Sequence, residues 1–227
     1  MTNLEARPQM LKDAEPRPPR TSRAAKAPPR PKRATRQERA VSLRLKILDA
    51  AAKVVGQYGY ADASIGRITD EAGIAQGTFY LYFESRQAIF DVLLPHVGAE
   101  LLVYIGDKVR GATHFLDVEE RGFRAFFEYL RLNPGFFRVL NEAEVAAPVA
   151  HAAHVKLVMG RYAESLKRSM DNGEIRNFKA SELESLAYIF QAARSYLYLC
   201  HIKGKGLKKL PEWVVQTYMK VVRSGLN

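Results

Sequence analysis

The sequence predicts an all-α fold of about nine helices. Three observations carry that expectation. Apolar residues recur at steps of three and four from residue 39 to the end. Nowhere does the two-residue alternation of a half-buried strand develop. Capping and stop residues punctuate the chain at helix-length intervals.

The elements follow in order. Val41, Leu45, Leu48, Ala52 and Val55 mark one face of a first helix, with Gly56 and Gly59 bracketing its end. Ser64 is a good N-cap for a second helix over Ser64–Ala72, and Gly73 supplies the left-handed residue that stops it. A short helix spans Ala75–Tyr82. Ser85 caps a fourth, longer helix, which Pro95 is expected to kink by removing a donor. Asp117-x-x-Glu120 has the form of a capping box before an aromatic helix that ends near Asn133-Pro134. Gly135–Val145 forms a further short helix. Pro148 opens a long one, closed by Asn172-Gly173. Ser181-x-x-Glu184 reads as a second capping box before the apolar run Leu183–His201. Pro211 opens the last helix, which runs to Ser224.

Charge divides the 227 residues unevenly. Residues 1–38 hold ten Lys/Arg, four Asp/Glu and seven of the eleven prolines, so about +6 of the net +11 lies there. Such a stretch buries too little apolar surface to offset its ordering entropy, and it is expected to be a disordered basic arm. It serves either solubility alone or contact with phosphates. Residues 39–84 then form a domain of three short helices, and residues 85–227 a larger helical bundle. No uninterrupted apolar run approaches ~18–20 residues, so no membrane span is expected. The N-terminus lacks an apolar signal core, and the single cysteine, Cys200, fits a reducing cytoplasm.

The stretch GIAQGTFYLYF, residues 73–83, indicates what the first domain does. Helix, glycine turn and short helix at this spacing make a helix-turn-helix. Its second helix must enter a major groove about 12 Å wide, so its leading residues must be small or polar. Gln76 can pair with an adenine edge, and Gly77 allows close approach. Thr78, Tyr80 and Tyr82 offer hydroxyls to phosphate oxygens, while Phe79 and Phe83 point inward.

Residues 44–93 resemble the DNA-binding domain of TetR-family repressors. The likeness is carried by R-x-x-I-L-x-A-A at Arg44–Ala51, by Gly59, and by S-I-x-x-I-T-x-x-A-G-I-A-x-G-T-F-Y-x-Y-F-x-S-R at Ser64–Arg86. The resemblance implies a three-helix DNA-binding domain, a helical ligand-binding domain and a homodimer on a pseudo-palindromic operator. Carried over by position, it implies that Ser64 caps the second helix and touches phosphate. Ala75, Gln76 and Gly77 stand at the base-reading end, and Thr78, Tyr80 and Tyr82 lie along the backbone. Arg86 stands where the family usually has a lysine, a phosphate contact. Ala75 replaces a common serine cap and Gln76 a common lysine, departures that bear on the operator sequence.

The C-terminal half carries two further expectations. The helix A-Y-I-F-Q-A-A-R-S-Y-L-Y-L-C-H resembles the family's penultimate helix, which pairs with its twin across a two-fold axis. Leu186, Ile189, Phe190, Ala193, Leu197, Trp213, Val214, Tyr218 and Val221 offer more apolar surface than one packed face needs, as an isologous interface would. An aromatic region with polar groups at its rim is the candidate pocket for a small, largely hydrophobic effector. Its residues are Phe126, Phe127, Tyr129, Phe137, Asn141, Glu144, His151, His154, Tyr162 and Arg194. His151 and His154 share a helical face, but two histidines without further fixed spacing do not define a metal site. No metal and no cofactor is expected. Nor is an enzyme: beside His114, His151, His154, Glu142 and Glu144 there is no nucleophile elbow or phosphate loop. The expectation is a cytoplasmic, ligand-responsive repressor, with the fourth helix as lever. The competing reading is a ligand-independent architectural DNA-binding protein whose basic arm supplies most of the affinity.

Overall fold

A computed structural model describes residues 35–226, with side chains as far as residue 225. Residues 1–34 of the expected arm lie outside that range, and Arg36–Glu38 form the first turn of a helix. The described residues hold nine α-helices and no strand: α1 (Arg36–Asp62), α2 (Ile65–Ala72), α3 (Gln76–Phe79), α4 (Arg86–Val109), α5 (Phe115–Leu132), α6 (Phe136–Ala146), α7 (Pro148–Asp171), α8 (Leu183–Leu197) and α9 (Glu212–Leu226).

The core face of α1 begins later than its apolar pattern suggests. Val41 and Leu45 are exposed, whereas Ile47, Leu48, Ala51, Val54 and Val55 are buried. Leu43, between Val41 and Leu45, packs against the core. Gly59 interrupts the helix at φ 82°, ψ 167°. A side chain there would suffer twice, because the Glu142 carboxylate occupies the space a Cβ would take, 2.7 Å away.

The caps of α2 and α4 are as the sequence predicts. Ser64 Oγ accepts from Arg67 N–H at 3.2 Å and Ser85 Oγ from Ala88 N–H at 3.1 Å. Gly73 ends α2 in the left-handed region. The other two caps differ. His114, not Asp117, caps α5: its Nδ1 accepts from Asp117 N–H, because burial of Phe115 starts the helix three residues earlier. Asp117 and Glu120 instead pair with Arg121 and Arg124. Ser181 lies inside a short 3-10 turn, Ala180–Glu182, where Glu182 accepts from Lys179 N–H at 2.6 Å. Two ends shift as well. α8 passes at Tyr198 into a π-helical segment, Tyr198–Gly204, which keeps Tyr198 on Phe137 and His201 on Trp213. The expected Ala75–Tyr82 helix contracts to one turn, followed by tighter turns at Leu81 and Tyr82.

α1, α2 and α3 share one continuous core with the rest of the described chain, because α6 and α4 pack against α1. α6 grips the end of α1. Tyr60 N–H donates to Glu142 Oε2 at 2.9 Å, and Arg138 donates to Gln57 O at 2.6 Å. Where these helices meet, Gly56 and Gly135 bring their backbones so close that a Cβ on either would lie 2.7 Å from the other's Cα.

α4 is long and apolar enough, by length and composition, to cross a membrane, although no uninterrupted apolar run of that length exists in it. Pro95 and His96 interrupt its apolar stretch. The fold uses it as a core helix: Ile89, Phe90, Leu93, Leu94 and Val97 are buried against α1, α5, α6 and α7. Pro95 sits within it without ending it.

Candidate functional site

The front of the first three helices is built on a small aromatic and aliphatic base. Phe79 is fully buried and Phe83 nearly so, in the same core as Ile47, Ile68 and Ala72, which anchors the single turn of α3. Thr69 is buried and donates to Gly66 O at 2.9 Å, so the hydroxyl costs α2 no unsatisfied group. With its base secured, α3 turns outward. Ala75, Gln76 and Gly77 are exposed, Thr78 and Tyr82 half-buried, and Tyr80 exposed. Ala75 makes no side-chain cap. The position a Cβ would take on Gly77 has no neighbour within 4 Å, so nothing in the protomer blocks its approach to a partner. Gln76 leans towards the first turn of α2, where its Nε2 lies 3.4 Å from the position of a Cβ on Gly66.

Cations frame this front. Arg86 is exposed, donates to Ala61 O at 3.2 Å and lies over the Phe90 ring. Its guanidinium is therefore held in place and keeps donors free for an anion. Three further cations went unnamed as site residues. Arg67 stacks on Tyr58 at 4.2 Å, Arg44 lies over Phe83 at 5.0 Å, and Lys46 reaches the Gly73 turn. All three are exposed. The signal for two of them was present, since Lys46 and Arg67 fall away from the buried residues of α1 and α2, whereas Arg44 stands in line with the buried Leu48 and Ala51. Leu81, 80% exposed at the tip, was also missed.

The candidate effector residues separate into three groups. Phe126, Phe127, Tyr129 and Phe137 are buried aromatics, with Phe137 on Tyr198 at 4.2 Å. Asn141 and Glu144 are exposed on α6, where Asn141 donates to Phe137 O. Tyr162 and Arg194 belong to a buried network centred on Glu119. Arg194 Nη2 and Tyr218 OH each donate to Glu119 Oε1 at 2.5 Å, and Tyr162 OH donates to Oε2. Burial works against the Arg194 charge, but the Glu119 carboxylate and the two phenols more than reverse it and raise its pKa. Burial, before any neighbour, raises both phenols.

The two histidines differ in burial. His154 is buried, its Nδ1 without a hydrogen-bond partner, and its ring lies against Gly98 of α4. Burial, then the neighbouring His151, lowers its pKa to about 4. His151 is half-buried. An open groove of about 790 Å³ lies elsewhere, between α1 and α4–α6, lined by Asp49, Gln57, Glu100, Tyr129, Phe136 and Val139. Of the candidate effector residues it includes Tyr129, which burial, then Glu100, pushes up to about 12.

Of the candidate interface residues, Leu186, Phe190, Val214 and Tyr218 are buried within one protomer, and Ala193 and Leu197 are half-buried. Ile189 and Tyr196 on α8, with Trp213 and Val221 on α9, remain exposed. These four are 61%, 69%, 63% and 67% exposed.

A bare single-turn helix behind a glycine turn, framed by arginines, has the form of a helix-turn-helix reading head. Comparison with known proteins points the same way. Residues 47–93 match the family described as bacterial regulatory proteins, tetR family. The chain is 45% identical over 69 residues to an uncharacterized HTH-type transcriptional regulator, YvdT, of Bacillus subtilis, covering 30% of this chain and 34% of that protein. It is 28% identical over 99 residues to the nucleoid occlusion factor SlmA of Haemophilus influenzae, covering 40% of this chain and 45% of that protein. The matched segments therefore span a third to under half of these relatives' lengths. The crystal structure of the transcriptional regulator FadR from Bacillus subtilis in complex with stearoyl-CoA superposes with a TM-score of 0.69. That match covers 81% of this chain and 99% of that one at 16% identity, a likeness of fold.

Proposed function

We propose that the protein is a homodimeric, sequence-specific transcriptional repressor, released from a pseudo-palindromic operator by a small, largely hydrophobic ligand. The observation that carries the reading is the exposure of Gln76 and Gly77 at the front of α3, above the buried Phe79. Two such helices in a two-fold dimer reach successive major grooves about 34–36 Å apart. The exposed stripe of Ile189, Tyr196, Trp213 and Val221 supplies the self-complementary surface. The aromatic interior of α5 and α6, together with the stearoyl-CoA held by a protein of the same fold, favours a long-chain acyl ligand. Release follows if that ligand favours a spacing of the two α3 helices that no longer fits the grooves.

The test starts by selecting bound duplexes from a random pool and measuring affinity by fluorescence anisotropy. Gln76→Ala is expected to weaken the selected site by about 1–3 kcal/mol and to relax preference at one base pair. Arg67→Ala is expected to weaken all duplexes alike and to flatten the salt dependence. An unchanged selected sequence and affinity in Gln76→Ala would sink the reading.

A second reading, ligand-independent architectural binding, draws support from the similarity to a nucleoid occlusion factor. It predicts that deleting residues 1–34 removes most of the affinity and that stearoyl-CoA has no effect. The repressor reading predicts a modest loss on deletion and release by the acyl ligand.

A further inference from the structure

Three metal-ligating side chains meet where α1 faces α4. His96 Nε2 lies 2.9 Å from Asp49 Oδ1 and 3.7 Å from Glu100 Oε1. Asp49 comes from α1, while His96 and Glu100 stand one turn apart on α4. All three ligand atoms lie within 4.8 Å of one another. Metal–ligand bonds of about 2.0–2.2 Å put neighbouring ligand atoms about 3.0–3.5 Å apart. The observed separations straddle that range, so side-chain rotations suffice to close the site.

Charge favours an occupant. Among the described residues, the only cationic group within ion-pair distance of either carboxylate is His96 itself. With that imidazole neutral, the three groups carry a net charge of −2. The His96 side chain is only 17% exposed, so its ring is largely fixed, while Asp49 and Glu100 are 56% and 53% exposed. Both carboxylates also line the 790 Å³ groove, which leaves room for water at the remaining coordination positions. One imidazole nitrogen with two carboxylate oxygens suits a borderline transition cation better than a hard alkaline-earth ion.

We propose that Asp49, His96 and Glu100 form a binding site for a divalent transition-metal cation of the zinc type. The cation ties α1, which carries the base of the DNA-reading face, to α4. The assignment stands on these side chains alone and does not depend on what the protein does with DNA.

Zinc chloride is titrated into the full chain, previously treated with chelator, by isothermal calorimetry, with melting temperature followed in parallel. One zinc per chain is expected, with a higher melting temperature. Affinity is expected to fall at least about tenfold in His96→Gln, Asp49→Asn and Glu100→Gln. His151→Gln, outside the cluster, is expected to bind as the parent does. If His96→Gln fails to fold, the two exposed carboxylate variants decide the matter. Zinc binding weaker than about 1 mM overturns the assignment, as does affinity unchanged in Asp49→Asn and Glu100→Gln.

Discussion

His154 and Glu119 show how single buried groups set the response of this fold to its surroundings. His154 is held neutral by burial, with a pKa lowered from 6.5 to about 4. The unfolded chain therefore takes up the proton first as pH falls. Stability is full above the unfolded value of 6.5 and declines as pH drops towards about 4. The shift corresponds to about 3 kcal/mol. Urea unfolding at a series of pH values should show that decline in the parent and its loss in His154→Leu. A parallel decline in both would remove His154 as its cause. The Glu119 network is a second such point. Glu119→Gln leaves Arg194 buried without a counter-charge, and a loss of about 3–5 kcal/mol is expected by denaturant unfolding. Joining Glu119→Leu to Arg194→Met is expected to recover part of that loss, because no unpaired charge then remains. Equal losses in the single and double variants would show that packing, not charge, is at stake. At this scale the sequence was partly legible. Tyr162 and Arg194 were marked as candidate ligand contacts, but their partner is Glu119, 43 and 75 residues away, and no spacing rule links them.

At the scale of elements, the pairing of α1 with α6 matters more to mechanism than the Pro95 kink foreseen in α4. Glu142 and Arg138 hold the last turns of α1, and Gly56 meets Gly135 backbone to backbone. A shift of α6 would thus be passed to α1. Gly56→Ala would place a methyl 2.7 Å from Gly135 Cα, and neither backbone can yield as a side chain would. A cost of about 1–3 kcal/mol in stability is expected, with altered operator affinity in the same variant. Operator binding and thermal melting measured together check this, and an unaffected protein would show that the two helices slide freely. Most helices were foreseeable because 3.6-residue periodicity and caps are local. Ser64, Gly73, Ser85, Pro148 and Asn172-Gly173 act within one turn of themselves. His114 displaced Asp117 because burial of Phe115, a tertiary event, moved the helix start. α3 shrank to one turn because Phe83 must follow Phe79 into the core.

For the whole molecule, the unpartnered stripe on α8 and α9 is the dominant feature. Ile189→Arg with Trp213→Glu is expected to yield a monomer by analytical ultracentrifugation and to abolish tight binding to a palindromic duplex. Binding to a single half-site should persist weakly, because each α3 is intact. A double variant that remains dimeric would move the interface elsewhere. Sequence periodicity marks a residue as apolar, but it cannot tell whether its own protomer or a second copy covers it.

The chain order of residues alone determined the all-helical class, the glycine turn and the front of α3, since each depends on neighbours within about one turn. The likeness of residues 44–93 to a known DNA-binding domain was legible for the same reason. Only the tertiary structure decided which apolar faces remain bare, which carboxylate meets Arg194 and which helix grips α1. It alone brought His96 to Asp49 across 47 residues. Those outcomes depend on where distant segments come to rest, and burial, charge and close contact act through space.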